Sequence, residues 1–150
     1  IDSLSLKANI DKLPHKQRWL DFGTGPGFPG LVLAIIRPDH HFVLLDSHSK
    51  KLAFVRHAKA TLELDNVEVV HQRIEDYQPT EGFDIITARA VATIETVIHL
   101  THHLLEPNGH FWLLKGPNWP DESWKHTPNQ VILLSENPKR YCLIIKRSYQ

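Results

Sequence analysis

The sequence has no methionine and a single cysteine, Cys142, among its 150 residues. A lone cysteine excludes an internal disulfide bond, and this composition fits a reducing compartment, so we expect the protein in the cytoplasm. Because no initiator methionine is present, we expect the chain to be a fragment or to have lost its N-terminus.

Long apolar runs and an excess of either charge are also missing. No stretch approaches the ~20 apolar residues of a membrane-spanning helix, and we find no signal peptide. The 17 basic and 17 acidic residues give a formal net charge of zero. Any contact with nucleic acid must therefore use a local basic patch. A hydrophobic content of 41% over this length is most simply that of one globular domain.

The chain is organised around one stretch that predicts a strand, a glycine-rich turn and a helix. Residues 18–22 are aromatic and apolar enough for a buried strand. Glycines follow at positions 23, 25, 27 and 30, and Pro29 precedes the apolar run Leu31–Ile36 where a helix can begin. Glycines let the backbone approach a ligand, and the free N–H groups of the helix would face an anionic group. The stretch predicts a nucleotide-binding α/β unit.

The glycines alone leave the ligand open. Residues 25–30 also fit G-x-G-x-x-G, so an NAD-dependent oxidoreductase is an alternative. Asp21, two residues before the first glycine, would be unfavourable beside a pyrophosphate and favourable beside the ammonium and sulfonium groups of S-adenosylmethionine. We therefore predict S-adenosylmethionine as the cofactor, with Asp21 beside it.

A second buried strand is predicted at His41–Asp46, and it ends on a carboxylate. About 20 residues separate Asp46 from the glycines, the spacing at which an acidic side chain binds a ribose diol. In the alternative interpretation Asp46 caps the next helix, although Ser47 and Ser49 could do so equally well.

Apolar residues at helical spacing predict a helix over residues 50–62. Its basic side chains are mainly a solvated face, with phosphate contact as the alternative. A third strand is predicted at Val67–Gln72. Ligands of doubly wound sheets lie outside the carboxyl ends of the strands, so Ile74 is predicted to pack on an adenine and Glu75 to hydrogen-bond to it.

The fourth strand is predicted at Phe83–Ala90 and brings Arg89 to the same edge. The alternative for Arg89 is a structural salt bridge. A helix is predicted over Thr93–Leu105. Its three histidines, His99, His102 and His103, have a spacing that could hold a metal. No carboxylate or cysteine completes that set, so we expect no metal site.

The remaining chain predicts a fifth strand and a hairpin. Pro107–Gly109 is expected to turn the chain into the strand His110–Leu114, which ends at Lys115. Residues 117–128 are expected to form a loop with at most one helical turn. Val131–Leu134 and Tyr141–Lys146 predict an antiparallel hairpin.

These elements together predict an α/β fold. Its sheet has seven mostly parallel strands with helices on both faces, and the C-terminal hairpin is antiparallel. We predict that residues 1–17 are the remnant of an N-terminal helical segment and that residues 18–150 form the S-adenosylmethionine-binding domain.

With these motifs in register, the chain resembles class I S-adenosylmethionine-dependent methyltransferases, whose fold is Rossmann-like. More narrowly it resembles the RsmG family, also called glucose-inhibited division protein B or GidB, the bacterial 16S rRNA guanine-N7 methyltransferases. The most specific shared elements are Asp21–Gly30, Arg37–Pro38, Leu44–Ser47, Arg73–Glu75, Arg89–Ala90 and Leu114–Gly116. The family normally begins with an additional N-terminal helical portion, and the final hairpin here is shorter than the resemblance leads us to expect.

The resemblance implies roles for particular residues. Cofactor contacts are expected at Gly23, Phe28, Asp46, Ile74, Glu75 and Arg89, and the glycine-rich turn adds Asp21, Gly25 and Gly27. Arg73 and Lys115 are expected near the RNA, and Arg89 and Lys115 are the candidate catalytic residues.

The chemistry implied by the resemblance agrees with the residues present. Guanine N7 has a lone pair and no proton, so its attack on the sulfonium methyl group needs no general base. Catalysis would depend on proximity and alignment. Arg89 is expected to orient a phosphate, the cofactor or guanine O6, rather than to act as an acid.

The expected partner is 16S rRNA in the small ribosomal subunit, bound by a monomer. Few basic residues are available, so a structured ribosomal particle is favoured over a naked strand, and a fragment should handle RNA poorly. Two alternatives stay open: an NAD-dependent oxidoreductase, and a cofactor-binding RNA-binding domain without catalysis.

Overall fold

The computed structural model describes residues 3–24, 29–89, 92–124 and 126–147. The strands are β1 Arg18–Phe22, β2 His41–Asp46, β3 Val67–His71, β4 Phe83–Ala88, β5 Leu105–Lys115, β6 Gln130–Glu136 and β7 Lys139–Lys146. The α-helices are α1 Ser3–Asp11, α2 Gly30–Ile36, α3 Ser49–Thr61 and α4 Ile94–Thr101. Short 3-10 turns occupy Ile74–Asp76, His102–Leu104 and Trp119–Asp121. None of the described helices is long and apolar enough to cross a membrane.

The seven strands form one sheet in the order β3-β2-β1-β4-β5-β7-β6. The pairs from β3 to β5 are parallel, and β7 pairs antiparallel with both β5 and β6. The predicted fold class is therefore confirmed: the sheet is mostly parallel and closes with an antiparallel hairpin. The predicted bounds of β1 and β2 agree with the structure.

Helices cover both faces of the sheet because successive strand residues point to opposite sides. In β1, Trp19 is buried on the face covered by α1, α2 and α3. Its neighbour Leu20 is buried on the opposite face, together with Ile98 of α4. Leu44 of β2 shares the first of these cores, and Leu45 shares the second. Each central strand is thus apolar on both faces, as expected for a parallel sheet.

The start of β5 differs from the prediction. Leu105 already pairs with Phe83 of β4, and the next paired residue, His110, lies opposite Ile85. The pairing therefore skips several residues of β5, and this irregularity takes up Pro107–Gly109. The prediction of a turn there was wrong, because pairing of Leu105 with β4 draws the segment into the strand. A Cβ at Gly109 would lie 2.6 Å from the Leu105 side chain, so the irregularity requires a glycine.

The helix before β5 is also shorter than predicted. α4 ends at Thr101, and a 3-10 turn over His102–Leu104 leads directly into β5. Because Leu105 is paired in the sheet, the chain must leave the helix earlier than its apolar spacing indicates. The short helical turn predicted in residues 117–128 is confirmed as the 3-10 turn Trp119–Asp121.

The N-terminal segment is fastened to the sheet by Arg37, which follows α2. Its guanidinium donates to the carbonyl oxygens of Ile10 at 2.6 Å and Leu13 at 3.2 Å, and it also binds Asp39. The Ile10 side chain is buried in the core below α1. Residues 3–17 are therefore packed onto the domain. Their origin as the remnant of a larger helical segment stays a prediction.

A buried histidine completes this attachment. Trp19 donates from Nε1 to Nδ1 of His40 at 2.9 Å, so His40 must carry its proton on Nε2. That nitrogen lies 2.7 Å from the carbonyl oxygen of Pro14, to which it donates. Burial lowers the pKa of His40, and this keeps the imidazole neutral as the arrangement requires.

Replacing Arg37 with methionine should loosen the N-terminal segment. The variant loses charge-assisted bonds to two carbonyls, so we expect a loss of about 1.5–3 kcal/mol in the free energy of unfolding. Thermolysin should then cut within residues 3–17 faster than in the parent. Arg56→Met, on the exposed side of α3, is the matched control. Equal digestion of Arg37→Met and the control would contradict this attachment.

Candidate functional site

A cleft of about 650 Å³ opens where β1, β2, β3 and β4 end. In the sheet, β1 and β4 are neighbours, and β2 lies beside β1 whereas β5 lies beside β4. The connections that follow β1 and β4 therefore run in opposite directions away from the boundary between these two strands. Such a switch point is where ligands bind in open α/β sheets. Of the predicted site residues, the cleft brings together Gly23, Asp46, Arg73, Ile74, Glu75 and Arg89.

Gly23 lines the cleft just after β1. Its φ of +67° lies in the left-handed region, and its N–H donates to the carbonyl oxygen of Leu45 at 2.9 Å. A Cβ added there would meet no atom of the described residues within 4 Å, so a side chain would occupy open space at the cleft. The predicted residues Gly25, Gly27 and Phe28 lie outside the described residues.

Asp46 ends β2, and its side chain is 7% exposed at the cleft. Its Oδ1 accepts a hydrogen bond from the backbone N–H of His48 at 2.9 Å. That bond fixes the carboxylate three residues before Ser49, where α3 begins. No side-chain cap hydrogen bond is found at the N-terminus of α3, a part of the chain that is described throughout. Asp46 thus binds the backbone N–H of His48, the N-cap residue of α3, and its contact with a cofactor stays a prediction.

The 3-10 turn after β3 brings three predicted residues to the cleft. Ile74 is buried against the core and also borders the cleft. Glu75 and Arg73 have exposed side chains, with 3.8 Å between Glu75 Oε2 and Arg73 Nη2. An exposed ion pair at this distance contributes little stability, so a ligand can replace either partner at little cost in free energy.

Arg89 follows β4 and also lines the cleft. Its Nε is buried and has no hydrogen-bond partner among the described residues. No salt bridge of Arg89 is found in the described parts of the chain, although its positive charge opposes the rise in the pKa of Asp21. A buried donor without a partner is unfavourable, and a bound ligand at the cleft would remove that penalty.

Asp21 is not among the residues that line the cleft. Its carboxylate is buried, and Oδ2 accepts from the Thr24 hydroxyl at 2.8 Å and from the backbone N–H of Gly30 at 3.0 Å. Oδ1 accepts from the Thr87 hydroxyl at 3.1 Å. Burial raises the pKa of Asp21 to about 7, although these hydrogen bonds oppose the shift. Asp21 thus ties the end of β1 to the start of α2, and its contact with a cofactor stays a prediction.

Lys115, the last residue of β5, also lies outside the cleft lining. Its ammonium group donates to the carbonyl oxygen of Ala92 and pairs with Glu122, each at 2.8 Å. The catalytic and RNA-binding roles of Lys115 stay predictions, and the structure places its charge in an internal pair with Glu122. Glu122 was missed by the sequence analysis, because nothing in the loop pattern indicates its partner.

Several cleft residues were not predicted. They are Phe22, Leu45, Ser47, His48, Gln72 and Leu100, whereas Lys51, which also lines the cleft, is one of the basic helix residues for which phosphate contact was the alternative. Phe22, Leu45 and Gln72 lie at or next to the end of a predicted strand, and Ser47 and His48 directly follow one, so this position was the available signal. The described residues contain no group of three or more histidine, cysteine or acidic side chains suited to a metal ion.

The fold is similar to those of solved methyltransferases. A SAM-dependent methyltransferase from Aquifex aeolicus superimposes with a TM-score of 0.72 at 14% identity, covering 97% of this chain and 89% of that chain. TrmN from Thermus thermophilus superimposes with a TM-score of 0.71 at 18% identity, covering 96% of this chain and 47% of that one. At these identities the likeness shows the class I methyltransferase fold alone.

Curated relatives are more similar in sequence. A protein of Hydrogenovibrio crunogenus named ribosomal RNA small subunit methyltransferase G is 47% identical over 122 residues, which cover 81% of this chain and 55% of the relative. A protein of the same name from Haemophilus influenzae is 47% identical over 139 residues, covering 87% of this chain and 68% of the relative.

The chain thus spans between about half and two thirds of the length of these relatives. The sequence profile of the GidB family, described as rRNA small subunit methyltransferase G, matches residues 1–147. This match takes in the glycine-rich stretch, the ends of β2 to β5 and the hairpin. The chain belongs to the rRNA small subunit methyltransferase G family.

Proposed function

We propose that the protein transfers a methyl group from S-adenosylmethionine to N7 of a guanine in 16S rRNA of the small ribosomal subunit. The observation that carries the proposal is the cleft at the switch point, where Gly23, Asp46 and Arg89 meet. Family membership supports the same reaction. We place the reaction in the cytoplasm and propose that the protein acts as a monomer.

The cleft residues fit this cofactor. Asp46 presents a carboxylate at the end of β2, which suits a ribose diol. Gly23 leaves open the space that a side chain would fill, and the buried Nε of Arg89 lacks a partner among the described residues. Ile74 and Glu75 offer an apolar surface and an acceptor beside each other, as an adenine requires. When bound, S-adenosylmethionine supplies a methyl group on a positively charged sulfur.

The residues at this edge of the sheet need only bind the cofactor and the guanine and orient them. Guanine N7 carries a lone pair and no proton, so no side chain has to act as a general base. Alignment of the nucleophile with the methyl group supplies the rate enhancement. Arg89 is the cation of the described cleft lining best placed to orient the guanine or a phosphate.

The charge distribution supports a structured RNA partner. Lys51, Arg73 and Arg89 are the lysine and arginine residues that line the described cleft. Three contacts with phosphates release few counterions, and the protein has zero net charge. These contacts are therefore too few for tight binding of a naked RNA strand. A folded ribosomal particle adds shape and further contacts, so it is the substrate we propose.

Transfer of tritiated methyl groups tests the reaction. The full-length protein should label small ribosomal subunits that lack the modification, and borohydride–aniline treatment should cleave the RNA at the labelled N7-methylguanine. The chain described here should bind cofactor but label RNA slowly. Label on an exocyclic amine or a ribose hydroxyl would overturn the N7 assignment. Efficient labelling of naked RNA by this chain would overturn the proposed substrate.

Replacing Asp46 with alanine should weaken cofactor binding. The loss of charge-assisted hydrogen bonds, about 1.5–3 kcal/mol, corresponds to a dissociation constant roughly 10–150-fold higher. Calorimetry with S-adenosylhomocysteine measures this change. Asp65→Ala, in the exposed turn before β3, is the control and should bind like the parent. Unchanged affinity in a folded Asp46→Ala variant would remove this residue from the site, and binding of NAD by the parent would favour the oxidoreductase alternative.

A further inference from the structure

A buried ion pair joins the loops that follow β4 and β5. The Lys115 side chain is 6% exposed, and that of Glu122 is 19% exposed. The Lys115 ammonium group lies 2.8 Å from Glu122 Oε2 and donates to the carbonyl oxygen of Ala92 at 2.8 Å. A charge this well buried needs its partner, because an unpaired buried charge is strongly unfavourable.

The second oxygen of Glu122 is also engaged. Its Oε1 accepts from the backbone N–H of Ile94, the first residue of α4, at 2.7 Å. That N–H has no partner within the helix, and the helix dipole favours a negative charge at this end. Glu122 therefore connects three elements: the end of β5, the start of α4 and the loop that follows β5. We name this arrangement of Lys115, Glu122, Ala92 and Ile94 the loop junction.

The loop junction lies close in sequence to the cleft. Ala92, held by Lys115, comes three residues after Arg89, which lines the cleft. The loop junction thus fixes one end of a short segment whose other end carries Arg89. Because three residues of chain span at most about 10 Å, the position of Ala92 limits where the Arg89 backbone can lie.

We infer that Lys115 and Glu122 are positioning residues: they hold the loops after β4 and β5 so that Arg89 faces the reacting groups, and Lys115 does not contact RNA phosphates. This inference rests on the proposed methyl transfer for its kinetic measurement. Its binding and exchange measurements do not depend on that reaction.

Two single variants and their combination test the inference. In Glu122→Gln, the amide NH2 faces either the Ile94 N–H or the Lys115 ammonium group, so one bond is lost whichever way the amide turns. Lys115→Met keeps the length of the side chain and removes its charge. Each variant should lower the rate of methyl transfer at saturating particle concentration roughly 10–100-fold, as expected for a small misplacement of an orienting group. KM for the particle should stay unchanged.

The double variant distinguishes one shared role from two separate roles. If both side chains act through the loop junction, Lys115→Met combined with Glu122→Gln should be no slower than the slower single variant. The slope of log affinity for the particle against log salt should match the parent in all three proteins. Lys139→Met and Glu136→Gln, both exposed at the tip of the hairpin, are the matched controls and should behave like the parent.

Amide hydrogen exchange provides a measurement that is independent of activity. The Ile94 amide should exchange faster in Glu122→Ala, which removes both carboxylate oxygens, than in the parent, while both proteins keep the same far-ultraviolet circular dichroism. Unchanged exchange at Ile94 would overturn the loop junction even if the parent methylated nothing, so failure of the proposed function remains a separate result.

One further result would overturn the inference directly. If Lys115 binds a phosphate, Lys115→Met should reduce the salt slope by about 0.7–0.9, the value for one lost contact, whereas Glu122→Gln should leave the rate unaffected. That combination would make Lys115 an RNA contact.

Discussion

Gly30→Ala is expected to lower the free energy of unfolding by about 3 kcal/mol, the upper range for an added methyl group in a packed core. A Cβ at Gly30 would overlap the Leu44 side chain and lie 2.6 Å from Asp21 Oδ2. Both neighbours are buried in the central sheet, so neither can move away freely. The backbone N–H of Gly30 would also be pushed from its bond to Asp21.

Gly23→Ala is the matched comparison. Gly23 adopts a φ of +67°, which costs an alanine roughly 1–2 kcal/mol, but its Cβ would meet no atom of the described residues within 4 Å. We expect this variant to fold and to bind S-adenosylhomocysteine more weakly than the parent. Urea unfolding and calorimetry on both variants measure the contrast. A Gly30→Ala variant as stable as the parent would show that α2 can move away from β2, contrary to this packing.

The second expected result concerns pH. The pKa of Asp21 is raised by burial to about 7 from an ordinary value of 3.8, so the folded protein binds its proton more tightly than the unfolded chain does. The resulting stabilisation is complete below about pH 3.8, falls as the pH rises, and is lost above about pH 7. Between about pH 5 and pH 8 this group alone should lower the stability by about 3 kcal/mol.

Asp21→Asn isolates this contribution. The amide oxygen can accept from Thr24 and Gly30 in place of Oδ2, and the amide NH2 can donate to the Thr87 hydroxyl. The variant should therefore fold and lack the pH dependence of Asp21. Other groups that titrate, such as His40, are common to both proteins and cancel in the difference. Urea unfolding measures the free energy of unfolding of both proteins at each pH. If it changed with pH by the same amount in the parent and in Asp21→Asn, the raised pKa of Asp21 would be contradicted.

Much of the fold could be predicted because the parallel strands are buried on both faces. A strand that is buried on both faces, such as His41–Asp46, contains an unbroken apolar run. A surface helix has polar residues on one face, so its sequence lacks such a run. The start of β5 could not be predicted in the same way. Pro107–Gly109 has the composition of a turn, and only the pairing of Leu105 with Phe83 shows that the chain has already entered the sheet. The position of β7 between β5 and β6 likewise depends on pairing across the sheet.

The candidate site could be predicted in position but not in the direction of its side chains. The end of each parallel strand places Asp46 and Arg89 at one edge, and the structure brings both to the cleft. The same rule places Asp21 and Lys115 at that edge, yet their charged groups bind Thr87 and Glu122 instead. Sequence spacing gives the residue's place along a strand, but the partner of its side chain is set by the folded structure.

The strand order has a consequence for synthesis. β7, which follows β6 along the chain, inserts between β5 and β6, so β5 has no second neighbour until the chain extends beyond Lys139. Until then Phe111 and Leu113 border an open edge, and an unpaired apolar edge is a template for association with other chains. A ribosome that stopped before Lys139 would release an aggregation-prone product, and the hairpin is therefore the element that protects the newly made sheet.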